Sequence, residues 1–273
     1  MRLLWRVRSN PLAWWWGFLT LVSGANIAVW FALYSALHSE APVALGRSDV
    51  EPMLLLCAAY VFGCAFRSVL PRADVQRICL FDTWLSSVFV GRSVATVAEL
   101  CFAAQWALML HRTAVSSGTP VVRAMALAVV PLIVLAEGCS WYAVLTTEQR
   151  AHAVENSLWG LAAALVVAGV LMIGRPGLGA LYPGVIAAGA AYAAFIFVYD
   201  VPMYWSRWRA DQARGHRYSS IADGMVDVTR RWTVSYRWED WRNEVPWMSL
   251  YFTFGVWSSI WLVHASLALG HRN

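Results

Sequence analysis

The stretch CLFDTWLSSVFVGRSVATVAELCFAAQWALMLHR (79–112) is apolar enough to lie in a bilayer, yet it carries Asp82, Arg92, Glu99 and Gln105. A charge at the centre of a membrane helix costs roughly 2.5–3.5 kcal/mol on insertion scales, so such residues mark function or buried pairing. Arg92 and Glu99 are seven residues apart. Seven steps of 100° return to within about 20°, so both project from one helical face, about 10.5 Å apart along the axis. The next apolar run carries Glu137. Counted from an outer boundary near Ala124, Glu137 lies about 20 Å deep, and Arg92 reaches a similar level from its own helix. The spacing predicts an Arg92–Glu137 pair with Glu99 nearby.

Two readings of this trio stand side by side. In the first, an Arg–carboxylate pair locks one helix against the next and does no chemistry. In the second, two carboxylates face one guanidinium, which leaves one carboxyl free to donate a proton. Gln105 supplies a neutral polar group to the same region, and Trp106, Trp141 and Tyr142 supply ring faces against which a hydrophobic substrate would bind. Further aromatic residues (Trp84, Trp159, Trp257, Trp261) line other apolar runs. Ring faces stabilise cations, so an aromatic cavity beside an acid suits acid-initiated chemistry on a lipid or isoprenoid. In size and helix count the chain resembles the small integral-membrane terpene cyclases, a likeness of architecture. That resemblance implies Glu137 or Glu99 as the acid, with Arg92 holding the other carboxylate ionised.

A second polar belt comprises Arg67, Arg72, Asp74, Asp82, Glu148, Arg150, Glu155 and Asp200, near one membrane surface. FDTW (81–84) and VENSLW (154–159) place Asp82 and Glu155 near helix N-termini, where a negative charge complements the helix dipole. Capping and ion pairing are the expected roles, and recruitment of a headgroup or phosphate by the arginines is the alternative. Metal readings are weaker. His38, His111 and His264 fall towards the outer ends of three helices, and three imidazoles are the ligand set of a catalytic zinc. His152-x-x-Glu155 is a single reversed fragment of a di-iron motif, which requires paired elements. No metal site is assigned. No pair of histidines sits mid-membrane to hold a haem, and no Walker A, dinucleotide fingerprint, GxSxG or HExxH is present. The cofactor stays unknown.

The elements that position these residues follow from composition. Of 273 residues, 59% are hydrophobic and 14% charged, against about 25% charged in soluble domains. Apolar runs at about 11–37, 52–70, 84–110, 121–146, 156–174, 178–200 and 247–268 each approach the ~20 residues needed to cross ~30 Å of hydrocarbon. Such segments must be helical in lipid. The expected fold is all-α: a polytopic integral membrane protein of about seven transmembrane helices forming one domain over 1–273. GRPG (Gly174–Gly177) joins the fifth and sixth helices as a tight turn. The run at 11–37 is too long for a signal-peptide core and reads as an uncleaved first helix. Small-residue spacing over 160–194 favours close helix packing. The 17 tryptophans are expected mainly at the headgroup level.

The 21 basic residues are all arginine. Without lysine there is no retinal Schiff base and no catalysis through a lysine amine. The five cysteines form no CxxC pair and read as small hydrophobes. With a cytoplasmic N-terminus, fifteen arginines fall on inner segments, five on outer segments, and Arg92 within the membrane. That bias predicts N-terminus in and C-terminus on the opposite side. Residues 201–246 mix Arg with Trp and Tyr, as an amphipathic segment lying on the inner surface between the sixth and seventh helices would. Scattered arginines interleaved with acids give no support for nucleic-acid binding.

Three functions are consistent with these features. The first is a membrane-embedded enzyme acting on a hydrophobic lipid or isoprenoid substrate through intramembrane carboxylates. The second is a proton- or ion-coupled transporter or channel in which the trio relays charge, although no inverted repeat is visible. The third is a subunit or scaffold of a larger membrane complex, docking a membrane-protein partner through 201–246. Membrane lipid is the surrounding partner in all three.

Overall fold

A computed structural model describes residues 10–39, 47–174 and 182–270. The architecture is all-α, and seven helices among the described residues are long and apolar enough to cross a membrane, making this a multi-pass membrane protein. The spans are Pro11–His38, Val50–Val69, Val88–Ser116, Pro120–Thr146, Gln149–Ile173, Tyr182–Ala213 and Val245–Leu267. Arg175, Pro176 and Gly177 of the expected GRPG turn lie outside the described residues. The chain divides into two compact units: 1–98 with 226–263, and 99–225 with 264–273.

The first unit contains α1 (Pro11–Ser39), α2 (Arg47–Val69) and the beginning of α3 (Val88–Ser116). Asn10 caps α1, its side-chain oxygen accepting the Leu12 N–H at 3.0 Å, and Pro11 follows at a position that needs no N–H donor. α1 and α2 run antiparallel, fastened by indole N–H bonds from Trp16 to the Val69 carbonyl and from Trp30 to the Leu54 carbonyl. Between α2 and α3 the chain forms β1 (Arg72–Ala73) and β2 (Ile78–Cys79), antiparallel, with β3 (Thr233–Val234) added parallel to β2. This small sheet ties the 70–87 loop to the long segment after the sixth span. Trp241 is completely buried against Trp15 and donates to the Ser235 carbonyl. Trp15, Trp30 and Trp241 are thus part of the interior, while Trp14, Trp84, Trp247 and Trp257 are exposed.

The third apolar run was expected to begin at residue 84, but Trp84–Ser86 is a single 3₁₀ turn. α3 starts only at Val88, where the Ser87 hydroxyl accepts the Val90 N–H.

The second unit holds the rest of α3, α4 (Pro120–Thr146) and α5 (Gln149–Ile173). It also holds the sixth span, in which α6 (Tyr182–Phe195) passes through a π turn (Ile196–Asp200) into α7 (Val201–Ala213). The sixth helix thus does not stop at residue 200, where the apolar run ends. A π turn widens the helix at the place where the Pro202 ring would otherwise meet the Val198 carbonyl. The segment 201–246 accordingly begins as a continuation of the sixth helix. Beyond it lie α8 (Ile221–Arg230) and α9 (Trp238–Trp241), then α10 (Val245–Leu250), a second π turn (Tyr251–Gly255) and α11 (Val256–Gly270). Close approaches depend on glycine: a Cβ on Gly160 would press on the Phe197 ring, and one on Gly224 would overlap the Leu145 carbonyl.

Candidate functional site

In the second unit a short link, residues 117–119, makes α3 and α4 an antiparallel hairpin. Glu99 lies 17 residues before Ser116, and Glu137 lies 17 residues after Pro120. The two carboxylates therefore stand at one level on neighbouring helices. The same counting aligns Ala103 with Ile133 and Ala107 with Val129, which do share one buried cluster. α4 and α5 form the next hairpin. Glu155 is six residues into α5, level with Ser140, so it lies about 9 Å in from the 147–148 turn and Glu137 about 13 Å. Glu137 and Glu155 are buried, and Gln105 and Ser140 are completely so.

Further groups join these carboxylates. His152 Nδ1 lies 2.8 Å from Glu155 Oε2, and its ring packs on Tyr204 at 5.1 Å between centroids. Tyr192 falls within electrostatic reach of Glu99, Glu155 and Asp200 together, and Asp200 interacts with Glu155 and Arg207. Nearer the surface Glu148 pairs with Arg150 at 2.9 Å. Acidic groups thus descend from one surface in steps: Glu148, then Glu155 with His152, then Glu137 and Glu99. Past that level α3, α4 and α5 carry no further Asp or Glu, and Gln105 is buried among largely apolar side chains. Ala103, Ala107, Val129, Ile133 and Ala162 form one buried cluster, and Leu110, Ala114, Val122, Ala126 and Val170 the next.

Glu155 was expected at a helix end. It instead sits well inside α5, because that helix begins at Gln149 with Glu148 at its cap position. Asp82 caps nothing either: it accepts the Trp232 indole N–H at 3.0 Å, and Ser87 takes the capping place.

The other expected site residues are more dispersed. Trp106 borders a cavity of only about 20 Å³, with Met109, Leu110 and Val170. Trp141 is half-buried on α4, while Tyr142 is 44% exposed on its outer face. His38 and His264 are exposed and His111 is half-buried. Among the described residues no three His, Cys, Asp or Glu side chains are grouped as a metal site would need.

Arg92 belongs to the first unit, where it joins an ion cluster. Asp74 Oδ1 accepts Arg72 Nε at 2.7 Å and lies 3.9 Å from Arg67, while Asp74 Oδ2 lies 3.9 Å from Arg92. Arg72 is 2% exposed and also donates to the Ser86 carbonyl at 2.8 Å. Burial alone would raise the Asp74 pKa, but the Arg72, Arg67 and Arg92 guanidinium groups outweigh it and hold the carboxyl well below the ordinary range. Burial pulls the Arg72 guanidinium down and pushes the Cys79 thiol up.

The sequence reading did not give Asp200, His152 and Tyr192 a place beside the deep acids. The available signal was a lone Asp at the end of an apolar run, and the π turn that contains it has no sequence mark. Comparison with known protein families, with curated proteins and with solved structures gives no match.

Proposed function

We propose that this protein is a membrane-embedded enzyme that acts on a lipid-soluble substrate by acid–base chemistry, with Glu137 and Glu99 exchanging protons with the substrate. Glu155 and His152 connect them to the surface beside the 147–148 turn. The observation that supports this reading is the one-sidedness of the acidic steps: they end at the Glu99–Glu137 level, and beyond it the packing is apolar apart from Gln105. A proton relay across the membrane needs titratable groups or water on both sides of its centre. An acid centre that draws protons from one face does not. Carboxyl groups at membrane depth can give and take a proton beside a substrate that arrives through the lipid. The arginine bias places the N-terminus and the 147–148 turn on the cytoplasmic side, so the protons come from the cytoplasm.

The test is mass spectrometry of total lipid extracts from cells expressing wild type, Glu137→Gln or no protein. The expected result is a lipid species whose abundance depends on wild type and returns to the no-protein level in Glu137→Gln, with folded yield preserved. Identical extracts from all three would reject the enzymatic reading.

A further inference from the structure

The sixth span, Tyr182–Ala213, has 32 residues, about 48 Å of helix against about 30 Å of hydrocarbon. Its height within the second unit is set by α5. Antiparallel contacts run from Gly160 beside Ile196 and Phe197, through His152 packed on Tyr204, to the Arg150 guanidinium 5.9 Å over the Trp208 ring. α5 has 25 residues, about 37 Å, so its first turn already stands in the headgroup layer. Arg207 and Trp208 are level with that turn, and the last turn of α7 continues past it. The start of α8 lies at the same height. There the Ser219 N–H donates to the Thr146 carbonyl at 3.0 Å, and Gly224 rests on the Leu145 backbone.

Charge at this height is sorted by direction. Arg150, Arg207, Arg209, Arg214 and Arg217 are all exposed. Most of the acids turn inward. Glu148 and Glu155 are buried against Arg150 and His152, and Asp211 is held by Arg214 at 2.7 Å. Asp223 is exposed but accepts the Ser220 hydroxyl at 2.7 Å, where α8 begins. The Arg209 and Arg217 side chains form no ion pair or hydrogen bond among the described residues. The chain folds back after α7, with the His216 N–H on the Asp211 carbonyl at 3.0 Å and Gln212 donating to the Tyr218 hydroxyl at 3.2 Å. Arg217 is thereby returned beside the last turn of α7.

Apolar groups share the same height. The Trp205 and Trp208 indoles are half-buried and meet edge to face at 5.4 Å. Ile221 and Met225, one turn apart on α8, are 55% and 40% exposed. Aromatic rings and exposed aliphatic side chains at this depth suit the boundary between headgroups and acyl chains. Guanidinium groups with uncommitted donors suit the paired oxygens of a phosphate. The surplus of positive charge selects a lipid of net negative charge over a zwitterionic one carrying the same phosphate. An acidic protein in water would meet the arginines but not the aliphatic pair.

We propose that the end of the sixth span and the start of α8 form a binding surface for anionic phospholipid, with Arg209 and Arg217 on headgroup phosphates and Ile221 and Met225 against the acyl chains. The surface lies within the second unit and does not depend on the acid–base reading of the deeper carboxylates.

The test is native mass spectrometry of the purified full-length protein in micelles holding equimolar phosphatidylglycerol and phosphatidylcholine of one chain length. Wild type retains phosphatidylglycerol several-fold more than phosphatidylcholine. Arg209→Gln with Arg217→Gln brings the ratio close to one, whereas Lys at both positions keeps most of the preference. Arg123→Gln, at an exposed arginine in the first turn of α4, leaves the ratio unchanged. Ile221→Asn with Met225→Asn lowers retention of both lipids. Equal retention of the two lipids by wild type overturns the proposal, as does a preference that survives the paired Gln variant or is lost equally in Arg123→Gln. Undiminished retention in the paired Asn variant overturns it too. So does displacement of phosphatidylglycerol by millimolar inorganic phosphate or by a polyglutamate peptide, which would make the surface a site for free phosphate or for acidic protein.

Discussion

Asp74 is the residue on which the first unit's charges converge, and its behaviour with pH is determined by sign. Its carboxyl titrates well below the ordinary value of about 3.9. The stability it contributes is therefore complete above that ordinary value and is lost as pH falls through the lower, folded one. Wild type should lose thermal stability in detergent as pH drops below about 4, and Asp74→Asn should flatten that part of the profile. At neutral pH the same substitution leaves Arg72 buried without its carboxylate and should cost about 3–5 kcal/mol in a denaturation experiment. Gly91 gives a second probe of this cluster. A Cβ there would overlap Cδ of Arg72, which is held at both ends and cannot swing away. Gly91→Ala should destabilise by about 1–3 kcal/mol, whereas the equally helical Gly138→Ala, with open space around it, should not. Glycine's role at 91 was not readable from the chain, because the clash is with a residue 19 positions away.

Among the elements, the sixth span shows best what pattern reading can and cannot reach. Its apolar character was plain, but its passage beyond Asp200 depended on a π turn that no residue type announces. The turn sets Ile196 and Phe197 against Gly160 of α5. Gly160→Leu should push the sixth span off α5 and lower the midpoint of thermal unfolding, by about 1–3 kcal/mol in stability. It should also diminish the wild-type-dependent lipid species, because Asp200 moves with the span. Unchanged stability would mean that this contact does not hold the helix. By contrast, the levelling of Glu99 with Glu137 follows from helix lengths and the short 117–119 link. The expectation from sequence set Arg92 level with Glu137 and Glu99 nearby, on a third helix ending at 110, six residues before Ser116.

For the molecule as a whole, orientation is tested with cysteines placed in a background whose five native cysteines are replaced. An impermeant thiol reagent added to intact cells should label Ser117→Cys, in the link between α3 and α4, and leave Ser219→Cys unlabelled until the membrane is opened. The reverse pattern would invert the proposed topology and put the acidic steps on the outer side. The sequence by itself determined the number of spans and their helical nature. Lipid cannot hydrogen-bond a backbone, so twenty apolar residues have a single outcome. Only the tertiary structure decided which acids meet. It set Glu155 on His152, put Asp200 within electrostatic reach of Glu155, and gathered three arginines on Asp74. Those partners depend on where each helix starts and how closely glycines let neighbours approach, and both are settled by packing between residues far apart in the chain.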